Sequence, residues 1–205
     1  MLADQDPYGV YDDISPRRRA VDRAVMGALA SVQALLAGHW LFLLNMLIGL
    51  YVGLALLSPL LKAAGFVQLG DALFAAYFYA CHQLPQRSFF IFGHQVAFCQ
   101  RDVALYGSMC LAGLIYAARR RRVRPLRWWL YLIAITPIVV DGGTQLIGLR
   151  ESTWELRVAT GALFGVATVW LVYPHLDLTV DELVGRGAAG PGMDTADVLS
   201  PRGKG

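Results

Sequence analysis

Apolar residues along this chain fall in blocks rather than stripes. Five blocks stand out, at residues 39–61, 66–80, 103–118, 128–148 and 154–173, with short polar stretches between them. A helix on the surface of a water-soluble domain shows one apolar face. A helix that is apolar all round suits a lipid environment. A membrane helix needs about 20 apolar residues, so the blocks at 66–80 and 103–118 reach that length only by taking in the polar cluster at their ends, Cys81-His82 or Arg101-Asp102. The pattern predicts an all-α, polytopic transmembrane helix bundle of about five spans. It also sets both clusters at the membrane boundary.

Composition agrees with this reading. Of 205 residues, 56% are hydrophobic and 16% charged, and the mean hydropathy is +0.47. The net charge of +3 is unevenly spread. Arg119, Arg120, Arg121, Arg122, Arg124 and Arg127 form one dense run between the third and fourth blocks. Such a run marks a cytoplasmic loop, and binding of nucleic acid or lipid headgroups by it is a secondary reading. Residues 81–99 and the turn Arg150-Glu151-Ser152-Thr153 are then extracytoplasmic, and the C-terminal tail is cytoplasmic. The bilayer expected is the cell (cytoplasmic or inner) membrane. Arg17, Arg18, Arg19 and Arg23 resist this orientation, because they precede the first block and favour the same cytoplasmic side. An interfacial helix or partial crossing at 25–37 would reconcile them.

Residues 1–24 read as a polar, disordered N-terminal segment without the basic start and apolar core of a cleaved signal. Residues 25–177 form the transmembrane domain. Residues 178–205, rich in Gly and Pro, read as a disordered tail.

Candidate chemistry gathers on one side. The second block delivers Cys81, His82 and Gln83, and a loop with Arg87, Ser88, His94 and Gln95 follows. Within that loop the apolar run 89–92 is too short to span and is expected to dip into the interface. The third block opens with Cys99, Arg101 and Asp102, with Tyr106 one turn below Asp102 on the same face. Asp141 and Gln145 are likewise stacked on the fourth block, and Arg150, Glu151 and Arg157 lie near the outer end of the fifth. Ionisable side chains are costly in lipid, so their convergence asks for a reason.

The order Cys-His-Gln, Arg-Ser-Phe-Phe, Gly-x-Gln and Cys-x-Arg-Asp-x-x-x-Tyr-Gly resembles the bacterial and archaeal membrane proteins catalogued as domain of unknown function 2085. The matching positions are Cys81 to Gln83, Arg87 to Phe90, Gly93, Gln95, Cys99, Arg101, Asp102, Tyr106 and Gly107. Asp141-Gly142-x-Thr144-Gln145, Gly148, Arg150-Glu151-Ser152, Arg157 and Thr160-Gly161 extend the resemblance, which covers about residues 65–165. Many relatives carry Cys-x-Arg-Cys where this chain has Cys99-Gln100-Arg101-Asp102. The resemblance implies a membrane location and no particular activity.

Two readings of the sulfur cluster stay open. Cys81, His82, Cys99 and Asp102 offer ligands suited to zinc, with Asp141 as a further partner. Alternatively, a Cys81–Cys99 disulfide in an oxidising compartment closes the loop and stabilises by roughly 3 kcal/mol. Redox catalysis is weaker for want of a Cys-x-x-Cys pair, and Ser88 lacks the setting of a nucleophile. Asp141 is either a functional carboxylate or half of a buried pair with Arg101, Arg150 or Arg157. Gly161-x-x-x-Gly165 predicts tight helix contact within the bundle or between protomers.

Three functional classes remain. The first is a metal site acting on a lipid-linked substrate, with Asp141 or His94 moving the proton. The second is a non-enzymatic structural or assembly subunit stapled by the disulfide, with a membrane-protein partner or a second copy. The third is a transport path lined by Asp71, Asp102 and Asp141, which five spans without a repeat disfavour.

Overall fold

The computed structural model describes residues 15–189, and the expected disorder of residues 1–14 and 190–205 lies outside them. The fold is about 80% helical with five helices, as the apolar blocks predict. These are α1 (Pro16–Ala63), α2 (Val67–Ala76), α3 (Gln100–Arg119), α4 (Trp128–Leu146) and α5 (Trp154–Ala189). Between α2 and α3 lie two 3-10 turns, at Tyr77–Tyr79 and Pro85–Arg87, and a hairpin of β1 (Ser88–Ile91) and β2 (His94–Cys99).

Contacts separate a compact unit, Leu41–Arg186, from the flanking segments. In the N-terminal flank, residues 16–24 are helical rather than disordered. Ser15 caps this helix, its Oγ accepting from the Arg18 N–H at 3.3 Å, and Pro16 occupies the first helical position, where its missing N–H costs nothing. At the other end, residues 178–189 continue α5 instead of opening the tail.

Within Leu41–Arg186 many apolar side chains face outward while several polar ones are buried. Large apolar side chains such as Leu47, Leu50, Leu132, Ile133, Val139 and Val140 are exposed. The buried set includes Asn45, Ser58, Gln83, Gln100, Asp141, Ser152, Arg157 and Thr160. Lipid favours this arrangement, because polar groups facing hydrocarbon go unsatisfied. Three helices, α1, α4 and the stretch Trp154–Glu182 of α5, are long and apolar enough to cross a membrane. α3 has 20 residues, about 30 Å, and carries charge at both ends.

The second expected span is the main correction. Its only α-helix, α2, has 10 residues, roughly 15 Å, about half of a hydrocarbon core. α1 ends in a tight reversal. Gly65 takes φ +91°, and the Phe66 N–H reaches back to the Leu61 carbonyl at 2.9 Å. α2 then folds back along α1. Ser58 Oγ donates to the Gly70 carbonyl at 3.0 Å, Lys62 pairs with Asp71 at 2.7 Å, and the Lys62 ammonium lies 4.6 Å from the Phe74 ring centroid. Asp71 is therefore tied to α1.

Helix order follows from the contacts between the helices. Asn45 of α1 donates to the Gly113 carbonyl of α3 at 3.4 Å and accepts from Tyr173 Oη of α5 at 3.2 Å. Tyr51 packs on Tyr106 with centroids 4.9 Å apart, so α1 and α3 run antiparallel. At the far end of α3, Tyr116 and Arg120 both bind Asp177 of α5. α4 joins α5 through Tyr131 and Thr168, and joins α3 through Arg101 and Asp141.

The apolar run 89–92 takes up regular structure. It forms β1 and the turn of an antiparallel hairpin, with Phe90 opposite Gln95 and Ile91 opposite His94. Phe92 (φ 51°) and Gly93 (φ 80°) make the two-residue turn, whose positive dihedrals match the twist of the strands. Val96, Ala97 and Phe98 of β2 are fully buried against Tyr51, Ala55 and Tyr77.

Candidate functional site

The sulfur cluster is assembled where three segments meet. Cys81 follows the 3-10 turn, its N–H held by the Tyr77 carbonyl at 3.0 Å. Cys99 ends β2 and stands immediately before α3, and Asp102 lies in the first turn of α3. One ligand atom from each, Cys81 Sγ, Cys99 Sγ and an Asp102 oxygen, lies within 4.8 Å of the others. Both cysteines are free thiols. The Cys99 N–H donates to Cys81 Sγ at 3.3 Å. The hydrogen bond between the thiols pulls the Cys81 pKa down, against the effect of burial. It drives the Cys99 pKa up, and burial and the Asp102 charge add to that.

His82 is not in this group. Cys81 and Gln83 are buried and His82 is exposed, because neighbours alternate sides in the non-helical chain after Ala80. His94 sits near the hairpin tip, about 17 Å along β2 from Cys99.

Gln83, Ser88 and Gln95 fasten the loop. Gln83 has φ 50°, and its side chain donates to the carbonyls of Phe74 at 2.7 Å and Ala97 at 3.1 Å. Gln95 donates to the Gln83 carbonyl at 2.7 Å and to Ser88 Oγ at 3.0 Å. Ser88 in turn donates to the Leu84 carbonyl at 3.0 Å. Tyr106 packs on Phe98 and Tyr51.

Beside this lies a second, ionic network. Asp141, 2% exposed, receives Arg101 at 2.5 Å, Arg150 at 2.6 Å and Ser152 Oγ at 2.9 Å. Of the three arginine partners considered for Asp141, Arg101 and Arg150 make the pair. Arg157 instead donates to Gln100 at 3.0 Å and stands 3.5 Å from Glu151. Glu151 binds Arg87 at 3.0 Å and accepts from Gln145 at 3.0 Å, and Gln145 also receives Arg101 at 3.4 Å. The Gln145 hydrogen bond, with the Arg87 charge, holds the Glu151 carboxyl below its ordinary pKa.

Ser152 and Gln100 carry much of this network; Ser152 was named from sequence only as a motif position, and Gln100 was given no role. Ser152 lies between Glu151 and Thr153 in a polar turn, where a short hydroxyl gives no periodic signal.

Lipid-exposed apolar helices around buried polar groups define a polytopic helical membrane protein. The sequence model of the family described as "Predicted membrane protein (DUF2085)" matches residues 81–171, and the chain belongs to this family. It is 46% identical over 105 residues to an uncharacterized protein of Methanocaldococcus jannaschii, MJ1492, covering 50% of this chain and 67% of that one. An uncharacterized protein of Methanothermobacter thermautotrophicus is 34% identical over 109 residues, 50% of this chain and 94% of the other. No solved structure matches significantly.

Proposed function

We propose that Cys81, Cys99 and Asp102 form a zinc-type metal site at the extracytoplasmic end of the bundle, serving hydrolysis or transfer on a lipid-linked substrate. The observation that carries this is the 4.8 Å grouping of two thiols and a carboxylate from three separate segments. Two sulfurs and one oxygen suit zinc, and three protein ligands leave a fourth position for water or substrate. Zinc bound there supplies Lewis acidity and lowers the pKa of bound water. Neither proton carrier suggested by sequence is well disposed for that water. Asp141 is committed to two guanidinium groups, and His94 is remote along β2.

The same two thiols favour a second reading, a Cys81–Cys99 disulfide that staples the loop of an assembly subunit. Elemental mass spectrometry on detergent-purified protein never exposed to chelator separates the two. About one zinc per chain, lost in Cys81→Ser, is the expected result. Metal-free preparations whose Cys81 and Cys99 resist alkylation until reduced would overturn the metal site in favour of the staple.

The orientation proposed keeps residues 119–127 and the C-terminal tail cytoplasmic and residues 81–99 extracytoplasmic, in the cell membrane. With α2 too short to cross, α1, α3, α4 and α5 are the crossings of this unit. The unit starts near Asn45, toward the end of α3 where Arg120 meets Asp177, so its first and last helices open and close on the side of the arginine run. Counting residues 66–80 as a crossing created the conflict with Arg17, Arg18, Arg19 and Arg23. Removing it lets both arginine clusters obey one rule. Alkaline phosphatase fused after Gly93 should be active, and the same reporter fused after Val123 inactive. The reverse pattern would invert the orientation.

A further inference from the structure

We infer that the arginine network at the N-terminal ends of α3 and α5 is an oxyanion site that takes a phosphate monoester group. Among the described residues, Arg87, Arg101, Arg150 and Arg157 are bound into it by two carboxylates, Asp141 and Glu151. Four positive charges less two negative leave an excess of two within the network. An uncompensated charge at a membrane boundary is costly, and two in one place call for a counter-anion.

The nitrogen atoms say the same independently. The buried Nε atoms of Arg87, Arg101 and Arg157 have no hydrogen-bond partner among the described residues. Buried donors are normally satisfied, so three such atoms in one network are a departure that needs a cause. Arg157 is the most telling of them. Its side chain is 7% exposed, yet its only carboxylate contact is Glu151 at 3.5 Å. Glu151 itself is 72% exposed. It is the network's solvent-side anion and the group an incoming oxyanion would displace or join.

The ligand class follows from this donor set. Guanidinium forks match the oxygens of phosphate and donate in pairs. A monoester close to two negative charges balances an excess of two, whereas a single carboxylate does not. The donors come from the loop before β1, α3, the α4–α5 turn and α5, and the N-terminus of the long helix α5 adds partial positive charge. The position at one end of the helices admits either an anionic lipid headgroup or free phosphate, and one experiment separates the sources.

The full-length chain in detergent is titrated with dioleoyl phosphatidic acid, with inorganic phosphate and with dioleoyl phosphatidylcholine, and Tm is followed. We expect a saturable rise of several degrees with phosphatidic acid, little with phosphatidylcholine, and loss of the response in Arg87→Gln and Arg157→Gln. A response to phosphatidic acid alone identifies a lipid headgroup, and a response to inorganic phosphate as well identifies a site open to the free ion. Cys81→Ser should keep the response, which separates this site from the proposed metal. If Arg157→Gln does not fold, Arg87→Gln decides, because its side chain is partly exposed on a loop. The inference is overturned by no saturable shift with either phosphatidic acid or inorganic phosphate, by an equal shift with phosphatidylcholine, or by a shift that survives Arg87→Gln.

Discussion

Asp141→Asn should be the most damaging single substitution near the site, costing about 3–5 kcal/mol of stability. The carboxylate is 2% exposed and neutralises two guanidinium groups, Arg101 from α3 and Arg150 from the α4–α5 turn, while Ser152 donates to it as well. The amide keeps the shape and removes the charge, so it strands Arg101, whose side chain is 21% exposed, and leaves the more exposed Arg150 without its counter-charge. Stranding is worse than absence, which gives the test its direction. Arg101→Gln added to Asp141→Asn should recover part of the loss, because one orphaned charge goes with it. Thermal melts of the purified variants check this. An Asp141→Asn protein melting like the wild type would show that the network adds nothing to the fold. It would return Asp141 to the functional carboxylates.

Gly161→Val should come next, with a loss of about 1–3 kcal/mol, and more if α3 cannot shift. A Cβ at Gly161 would fall 2.6 Å from the Arg101 carbonyl oxygen, and one at Gly165 would meet the Leu105 carbonyl. These are backbone atoms of a helix, so the neighbour cannot rotate out of the way. The glycine pair therefore lets α5 lie directly on α3 within one chain, one of the two roles the sequence motif allowed. The same contact sets the depth of Arg101, so the substitution disturbs the ionic network as well as the packing. Gly143→Ala is the control. Nothing lies within 4 Å of a Cβ there, and alanine should be neutral or stabilise α4 by up to about 1 kcal/mol. Equal melting temperatures for Gly161→Val and Gly143→Ala would contradict the close contact.

The helical class was legible because lipid imposes a coarse rule, apolar blocks with few charges. That rule is blind to what a block does at its end. Residues 66–80 are apolar enough for a span, yet Gly65 turns the chain back and α2 stops at Ala76. Ala63-Ala64-Gly65 was a readable helix stop, and hydropathy outweighed it. The hairpin was hidden in the same way. Ser88-Phe89-Phe90-Ile91 and Val96-Ala97-Phe98 are rich in strand formers around Gly93, but their apolarity read as membrane contact. Ser15-Pro16 announced a helix start that the surrounding charges obscured.

At the site, Cys81, Cys99 and Asp102, picked by residue type, lie together, whereas His82, picked with them, is exposed and outside the group. Adjacent residues share a site only if the chain bends between them, and after Ala80 it does not. The pairing of Asp141 was foreseen as one of several choices. The choice itself depends on helix rotation, which a single sequence of nearly all-apolar blocks leaves undetermined.

The central ion pair also has a bearing on how the chain is made. Arg101 lies in α3, its counter-charge Asp141 is built 40 residues later in α4, and Arg150 and Ser152 follow α4. A ribosome thus delivers a cation to the bilayer well before the anion that balances it. While only α3 has emerged, Arg101 is a charge without its partner and α3 is a reluctant insert. Once α4 is out, Arg101 has Asp141 to pair with, and Arg150 and Ser152 join that carboxylate from the turn that follows. Order of synthesis, and not hydropathy alone, then decides when the middle of this protein becomes a membrane segment.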